Sequence, residues 1–389
     1  MIVTHPVEVT SSRAAKAAVA ASRLVSLDVF RGATMIFMAS EILRIPQVAR
    51  RFPDSAVGRF FASTMDHRQW VGCAPWDLIQ PAFMFMVGVS LPFSVARRTE
   101  RGDSFARQLA HSVYRALILI ALGIFLRSQA RPQTYFTFED VLTQIGLGYV
   151  VLFLLAWTKP SIQWIAAAII LVGYWAAFAL YPLPPASFDT TIVGVPHDWP
   201  HHLTGFAAHW DKNTNLANRV DQWFLNLFPR ERPFVYNGGG YLTLNFVPSL
   251  ATMIFGLLAG EVLRSERTAM EKVRALVVYG LGGLAVGAAL HLLGICPIVK
   301  RIWTPSWTIY SAGWVSLMLA GLYYIVDVRY VLVHVTADYI IGSWRIHLGR
   351  GLFEVFGRAF APITVGAATL LIMWLILLWM YRRRIFLRI

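Results

Sequence analysis

Long apolar stretches constrain this chain more than any other feature of its sequence. About ten of them approach the roughly 20 residues that an α-helix needs to cross a bilayer. Within lipid, a backbone satisfies its hydrogen bonds only as a helix or a closed barrel, and the alternating pattern of barrel strands is absent here. The sequence therefore predicts an all-α, polytopic transmembrane helical bundle.

The composition agrees with this fold class, because 57% of the 389 residues are hydrophobic and the mean hydropathy is +0.54. The predicted spans are 27–45, 76–95, 109–127, 139–157, 161–181, 244–263, 275–294, 307–326, 331–348 and 362–381. Residues 1–22 are predicted to form a cytoplasmic tail. Residues 23–389 are predicted to form one membrane domain with a long extracytoplasmic loop at about 182–240.

The formal net charge of +14 does not indicate a nucleic-acid partner, because much of it lies in short connections beside the predicted spans. Lys and Arg in such connections favour the cytoplasmic side of a membrane. With ten spans, the basic connections after the second and sixth spans lie on the same side as both termini. The sequence thus predicts an inner-membrane protein with cytoplasmic N and C termini.

The longest connections fall on the opposite, outer face, at about 46–75, 182–240 and 295–306. Long segments inside a compact fold usually carry function. The first of them contains His67, which lies ten residues before Asp77 at the predicted start of the second span.

Two interpretations of His67 and Asp77 stay open at this stage. An interfacial histidine can simply solvate a helix entry, and an acid in the first turn can cap a helix and meet its dipole. Alternatively, His67 takes protons or carries an acyl group, and Asp77 orients its imidazole.

Other polar residues also have a structural and a functional interpretation. Asp28 and Arg31 are spaced as neighbours on one helix face; they form an ion pair or meet an anionic cofactor at the cytoplasmic mouth. Trp70, Lys300, Arg301 and Trp303 are either an interfacial belt with cations or a surface for a sugar substrate. No spacing of Cys and His matches a zinc site, so no metal is expected.

Several blocks, taken in order, resemble the heparan-α-glucosaminide N-acetyltransferase family and its bacterial relatives. Residues 23–32 (RLVSLDVFRG) are similar to its opening motif, and residues 67–88 to its second block. Residues 240–260 resemble a third block, and residues 299–307 (VKRIWTPSW) together with 326–328 a fourth. The chain differs near the outer end of the first span, where Ile42 stands in place of the family's usual asparagine.

The resemblance implies a transmembrane acyltransferase that moves an acetyl group from cytoplasmic acetyl-CoA to an extracytoplasmic amino sugar or glycan. It aligns His67 with the family's essential histidine and implies Asp77 as its support. The implied partners are the lipid bilayer and the acceptor sugar, with a possible homo-oligomer. A transporter or permease and a non-catalytic envelope assembly protein are the alternatives.

Overall fold

The computed structural model describes residues 24–328 together with Leu371, Trp374, Leu375 and Leu378. This part of the chain is built from helices, and extended backbone pairs only in a bridge between Val71 and Val299. The prediction of an all-α fold is confirmed for it.

The α-helices of the described part are α1 Val25–Ala39, α2 Ile45–Ala49, α3 Ala56–Thr64, α4 Ile79–Glu100, α5 Phe105–Ser128, α6 Val141–Leu155, α7 Pro160–Ala179, α8 Leu216–Phe224, α9 Phe246–Arg264, α10 Ala269–Leu292 and α11 Pro305–Leu322. Short 3₁₀-helices lie at Ser40–Leu43, Pro75–Leu78, Thr190–Val193, Gly205–Trp210, Leu225–Leu227 and Thr243–Asn245. A π-helix at Tyr323–Val328 continues α11.

Within the described residues, six helical segments are long and apolar enough to cross a membrane, by length and composition. They are Pro75–Glu100, Phe105–Ser128, Pro160–Ala179, Thr243–Arg264, Ala269–Leu292 and Pro305–Val328. Each overlaps one predicted span, so the chain is an integral membrane protein.

Two other predicted spans are not among these six. The span predicted at 27–45 corresponds to α1 and to the 3₁₀-helix Ser40–Leu43 that continues it, and this run ends where Arg44 adopts a left-handed conformation (φ 49°). The span predicted at 139–157 is the 15-residue α6, about 22 Å long, which is less than a hydrocarbon core of about 30 Å. The span at 331–348 and nearly all of 362–381 lie outside the described residues, so the total of about ten stays a prediction.

Glycines allow the two central helices, α4 and α9, to pack backbone against backbone. A Cβ at Gly88 of α4 would overlap the Met253 carbonyl oxygen, and one at Gly256 of α9 would overlap the Phe85 carbonyl oxygen. Small residues that admit such close approach are typical of helix interfaces in membranes. This pair forms the centre on which the site-bearing loops rest.

The long helices alternate in direction, which sorts their connections onto two ends. The backbone N–H of Ser26 donates to Asp327 Oδ2 (3.2 Å), so the start of α1 and the end of the π-helix share one end. The short α4–α5 and α9–α10 connections lie at that end. The long connections 129–140, 180–242 and 293–304 lie at the other end, with His67.

The loop predicted at about 182–240 is folded rather than structureless. It contains α8 and 3₁₀-helices, and Trp210 inside it is fully buried. Trp210 packs in a cluster with Phe178, Leu242 and Trp70. The loop is thus a compact cover over the end of the bundle that carries the candidate site.

Candidate active site

His67, Asp77 and Lys300 meet because two loops pair with each other. The bridge between Val71 and Val299 sets their register, and Gly72 N donates to Ile298 O at 2.9 Å. Gly72 has φ 110°, a conformation that favours glycine. Lys300, 233 residues after His67 in the sequence, therefore comes within 3.1 Å of its Nδ1.

Asp77 uses its two carboxylate oxygens for different tasks. Oδ2 accepts from the backbone N–H groups of Ala74 (3.0 Å) and Arg68 (3.3 Å), which fixes the start of the helix. Oδ1 lies 2.7 Å from His67 Nδ1 and 3.3 Å from Lys300 Nζ. The helix-capping and imidazole-orienting interpretations therefore describe the same side chain.

The carboxylate selects the tautomer of His67. An ionised carboxylate only accepts hydrogen bonds, so Nδ1 donates its proton to Asp77 Oδ1. The Lys300 ammonium donates to the same carboxylate oxygen. Nε2 then keeps its lone pair, as required of a base or nucleophile. The His67 side chain is 37% exposed, so a substrate can reach it.

Lys300 and Asp77 form a buried ion pair behind the imidazole. The Asp77 side chain has no solvent exposure and that of Lys300 has 7%. Burial lowers the pKa of Lys300 from its usual value, and the neighbouring Asp77 charge opposes part of that change. Burying two charges is costly unless both are well paired, so the pair must be maintained as a unit.

A cavity of ≈ 660 Å³ opens beside His67. Its walls come from the end of α1, from α2 and from the segment that precedes α4. Besides His67, its charged lining residues are Glu41, Arg44, Arg50 and Asp66. Arg50 Nη1 pairs with Asp66 Oδ2 at 2.9 Å. Apolar residues such as Met38, Met65 and Trp76 line the cavity as well, so it offers both charged groups and an apolar wall to a small substrate.

The other residues predicted to bind substrate have structural partners. Arg301 donates to Gly239 O (2.6 Å) and lies 5.1 Å from the centre of the Tyr241 ring, so it joins the connections 293–304 and 180–242. Trp70 and Trp303 are each 1% exposed. Trp70 donates to Trp210 O (3.1 Å), and Trp303 donates to Thr252 Oγ1 (3.3 Å). Their indole faces pack against protein and are not open to a sugar ring.

Asp28 and Arg31, predicted to bind the cofactor, lie near the opposite end of α1 from the cavity. Arg31 Nη1 is 3.7 Å from Asp28 Oδ1, and both side chains are partly exposed. About ten residues of helical rise, roughly 15 Å, separate Arg31 from Glu41 at the cavity wall. α1 thus runs from Asp28 and Arg31 to the His67 cavity, and these two residues do not contact His67.

Glu139 is a buried carboxyl group near the site. It accepts a hydrogen bond from Asn237 Nδ2, and its pKa rises to about 7 because burial outweighs the effect of Arg127. Gln144 connects it to α4 by accepting from Gln80 at 3.3 Å. Sequence inspection offers only its position at a predicted span end, because its burial depends on the folded 182–240 loop.

Comparisons with known proteins give a consistent result at low identity. No protein-family model matches the chain. It is 24% identical over 369 residues to heparan-alpha-glucosaminide N-acetyltransferase of Homo sapiens, covering 85% of this chain and 53% of that protein. It is 23% identical over 349 residues to the protein of the same name from Mus musculus, covering 79% and 50%.

The chain therefore spans about half the length of the curated relatives it matches. The aligned share of this chain is nevertheless large, and it agrees with the ordered series of similar blocks. The chain is a distant relative of the heparan-alpha-glucosaminide N-acetyltransferase family.

Proposed function

We propose that this protein is a membrane acyltransferase that moves an acetyl group from cytoplasmic acetyl-CoA to an amino sugar or glycan on the outer face. The observation that carries the proposal is the His67–Asp77–Lys300 cluster at a cavity of ≈ 660 Å³ whose lining includes charged side chains. The names of the distant relatives support the reaction class. The six apolar helical segments support a protein that spans the bilayer between the acetyl donor and the acceptor.

His67 Nε2 is the reacting atom in this proposal. As a base, it removes a proton from the acceptor amine or hydroxyl while that group attacks the acetyl carbonyl carbon. The C–S bond of acetyl-CoA then breaks, and the CoA thiolate leaves and takes up a proton. As an acyl carrier, Nε2 attacks the carbonyl carbon itself, CoA leaves, and the acceptor amine displaces the imidazole.

Asp77 supports either route by holding Nδ1–H and stabilising positive charge on the ring when Nε2 gains a proton or an acyl group. Lys300 balances the buried charge of Asp77, so that the carboxylate stays ionised when the imidazole is neutral. Both residues act through His67 and are positioning residues.

The cavity offers chemistry suited to an amino-sugar acceptor. Glu41 is a carboxylate on the cavity wall that can accept hydrogen bonds from an ammonium or hydroxyl group. At the other end of α1, Arg31 is the residue proposed to meet the phosphates of acetyl-CoA, because guanidinium groups bind phosphate in a bidentate manner. The pantetheine arm of acetyl-CoA would then run along α1, so that the acetyl group is still bonded to sulfur when its carbonyl carbon reaches His67.

The test is acetyl transfer by the purified protein in proteoliposomes, with radiolabelled acetyl-CoA and glucosamine. We expect wild type to release CoA and label glucosamine, and His67→Ala to do neither. His197→Ala is the matched control, because His197 is an exposed histidine on the same end of the molecule, paired with Asp189. Equal CoA release by His67→Ala and wild type would exclude a catalytic role for His67.

A rapid acid quench without acceptor separates the two routes. Label that stays on the wild-type protein and is absent from His67→Ala supports an acyl-imidazole. Label that never stays on the protein supports a base. Transport of glucosamine without any acetylation would favour a permease instead.

A further inference from the structure

A second charged cleft lies on the same end of the molecule, apart from the His67 cavity. It has a volume of ≈ 460 Å³ and lies between the α5–α6 connection and the segment after α8. Its lining includes Arg131, Arg230 and Arg232, with Glu231 as the acidic member. In the described part of the chain, none of the three arginines has a carboxylate within ion-pair distance. The cleft therefore carries excess positive charge.

The arginines are held by an aromatic framework rather than by acids. The Arg131 and Arg230 guanidinium carbons lie 4.6 Å and 4.9 Å from the centre of the Tyr135 ring. Arg230 also donates to Phe136 O (2.7 Å). Tyr135 is fixed in turn, because its N–H donates to Ser128 Oγ (2.8 Å) at the end of α5. Guanidinium groups pre-organised in this way are suited to an oxyanion such as phosphate.

The position of the cleft indicates the source of that phosphate. α5 is one of the six helical segments that could span a membrane, and only 22% of its 18-residue apolar stretch is buried inside the protein. The exposed apolar side chains of α5 extend toward its C-terminal end as far as Phe125 and Leu126, which are 63% and 52% exposed. Arg131 follows five residues later. A lipid whose tails lie along this face of α5 has its headgroup at the level of Arg131 and Tyr135.

We propose that this cleft binds the phosphate of an anionic phospholipid headgroup, with the acyl tails packed along the exposed face of α5. The guanidinium groups of Arg131 and Arg230 supply the charge. Basic clefts beside transmembrane helices recognise anionic headgroups by the same chemistry. The site is independent of the His67 cavity and of acetyl transfer.

The test measures binding of phosphatidylglycerol to the purified full-length protein in mixed micelles, with phosphatidylcholine as the zwitterionic comparison. We expect phosphatidylglycerol to raise the melting temperature of wild type more than phosphatidylcholine does. Its apparent affinity should fall about tenfold in Arg131→Gln/Arg230→Gln, because two charge-assisted contacts are lost. Arg131→Gln alone, at an exposed position, should show part of the loss with an unchanged melting temperature in the absence of lipid.

Arg219→Gln is the matched control, because Arg219 is an exposed arginine on α8 outside the cleft. We expect it to bind phosphatidylglycerol as wild type does. An equal loss in this control, or unchanged binding in the double variant, would overturn the proposal. Inorganic phosphate is the competing probe: displacement of the lipid at equal concentration would assign the cleft to a soluble phosphate and overturn the lipid source.

Discussion

At the scale of single residues, the proposed chemistry depends on one carboxylate that accepts hydrogen bonds both from backbone N–H groups and from side chains. Asp77 Oδ2 holds the turn that begins the α4 segment, and Oδ1 holds His67 and Lys300. A change to asparagine keeps the shape of the side chain and one oxygen acceptor for the turn, and removes the charge that faces His67 and Lys300.

We expect Asp77→Asn to lower acetyl transfer by a factor on the order of 10²–10⁴, because the imidazole loses the acceptor that selects its tautomer. The measurement is kcat and KM for glucosamine acetylation, and the loss should appear in kcat. Asp54→Asn, at an exposed aspartate, should leave both values unchanged. A wild-type kcat in Asp77→Asn would show that the hydrogen bond has no role in the reaction.

The Asp77–Lys300 pair also makes a prediction about stability. Breaking a buried pair on one side leaves an uncompensated charge and costs about 3–5 kcal/mol. We expect Asp77→Asn and Lys300→Met each to lower the free energy of unfolding, and the double variant to cost less than the sum of the two. Thermal unfolding in detergent measures this cycle. Additive losses would mean that the two charges do not depend on each other in the folded protein.

Sequence alone predicts that Asp77 lies near His67, but it does not predict that Lys300 contacts them. Local spacing brings His67 and Asp77 to one helix start, so their neighbourhood could be anticipated. The contact with Lys300 depends on the Val71–Val299 bridge, which joins positions more than 200 residues apart, and no local pattern encodes it. The sequence around Trp303 likewise shows an aromatic residue beside two cations, but it does not reveal that the ring of Trp303 is buried.

At the scale of elements, hydropathy predicts helices well and their ends poorly. A run of about 20 apolar residues has one solution in lipid, which explains the six confirmed segments. The helical run of α1 and the 3₁₀-helix that follows it ends at the left-handed Arg44, which no hydropathy pattern reveals. That end matters, because residues on both sides of it line the His67 cavity.

The α4–α9 contact is expected to tolerate no added side chain. Gly256→Ala places a methyl group on the Phe85 carbonyl oxygen, so we expect a loss of about 1–3 kcal/mol in the free energy of unfolding. Gly173→Ala in α7 is the control, because nothing lies within 4 Å of an added Cβ there. It should be neutral or stabilising by up to about 1 kcal/mol. Equal melting temperatures for Gly256→Ala and wild type would contradict the close packing.

The folded cover over the site contains a histidine whose charge holds a loop together. His202 Nδ1 lies 2.9 Å from Asp211 Oδ2, and Nε2 lies 2.9 Å from Pro196 O. Because both partners accept, both ring nitrogens donate only in the imidazolium form. Burial lowers the pKa of His202, but the hydrogen bonds to Asp211 and Pro196 raise it above 6.5 overall.

A raised pKa in the folded state means that the stabilisation is complete below pH 6.5 and disappears as pH rises through the folded-state value. We therefore expect hydrogen exchange in residues 196–211 to increase over that range beyond the intrinsic rate. His202→Asn should remove this pH dependence. Trp199, which contacts both His202 and Trp70, offers a fluorescence readout. A pH-independent protection factor in wild type would contradict the expectation.

At the scale of the whole molecule, the two ends differ in the length of their connections. The short connections at the α1-start end, with the first and last turns of the helices beside them, contain Arg97, Arg98, Arg101, Arg107, Arg264, Arg267, Lys272 and Arg274. They also contain acids, and the long connections at the end with His67 mix both signs as well. Positive residues fix topology mainly from short connections. The short end should therefore face the cytoplasm, where acetyl-CoA is made, and His67 should face the acceptor.

Cysteine labelling tests this orientation directly. In a background that lacks Cys73 and Cys296, Arg219→Cys places a thiol on the His67 end and Arg101→Cys places one on the other. Both native arginines are exposed, so each thiol should react once reagent reaches it. We expect a membrane-impermeant maleimide to label position 219 in intact cells and position 101 only after permeabilisation. Labelling of position 101 in intact cells would invert the topology, and the acceptor would then have to meet His67 from the cytoplasm.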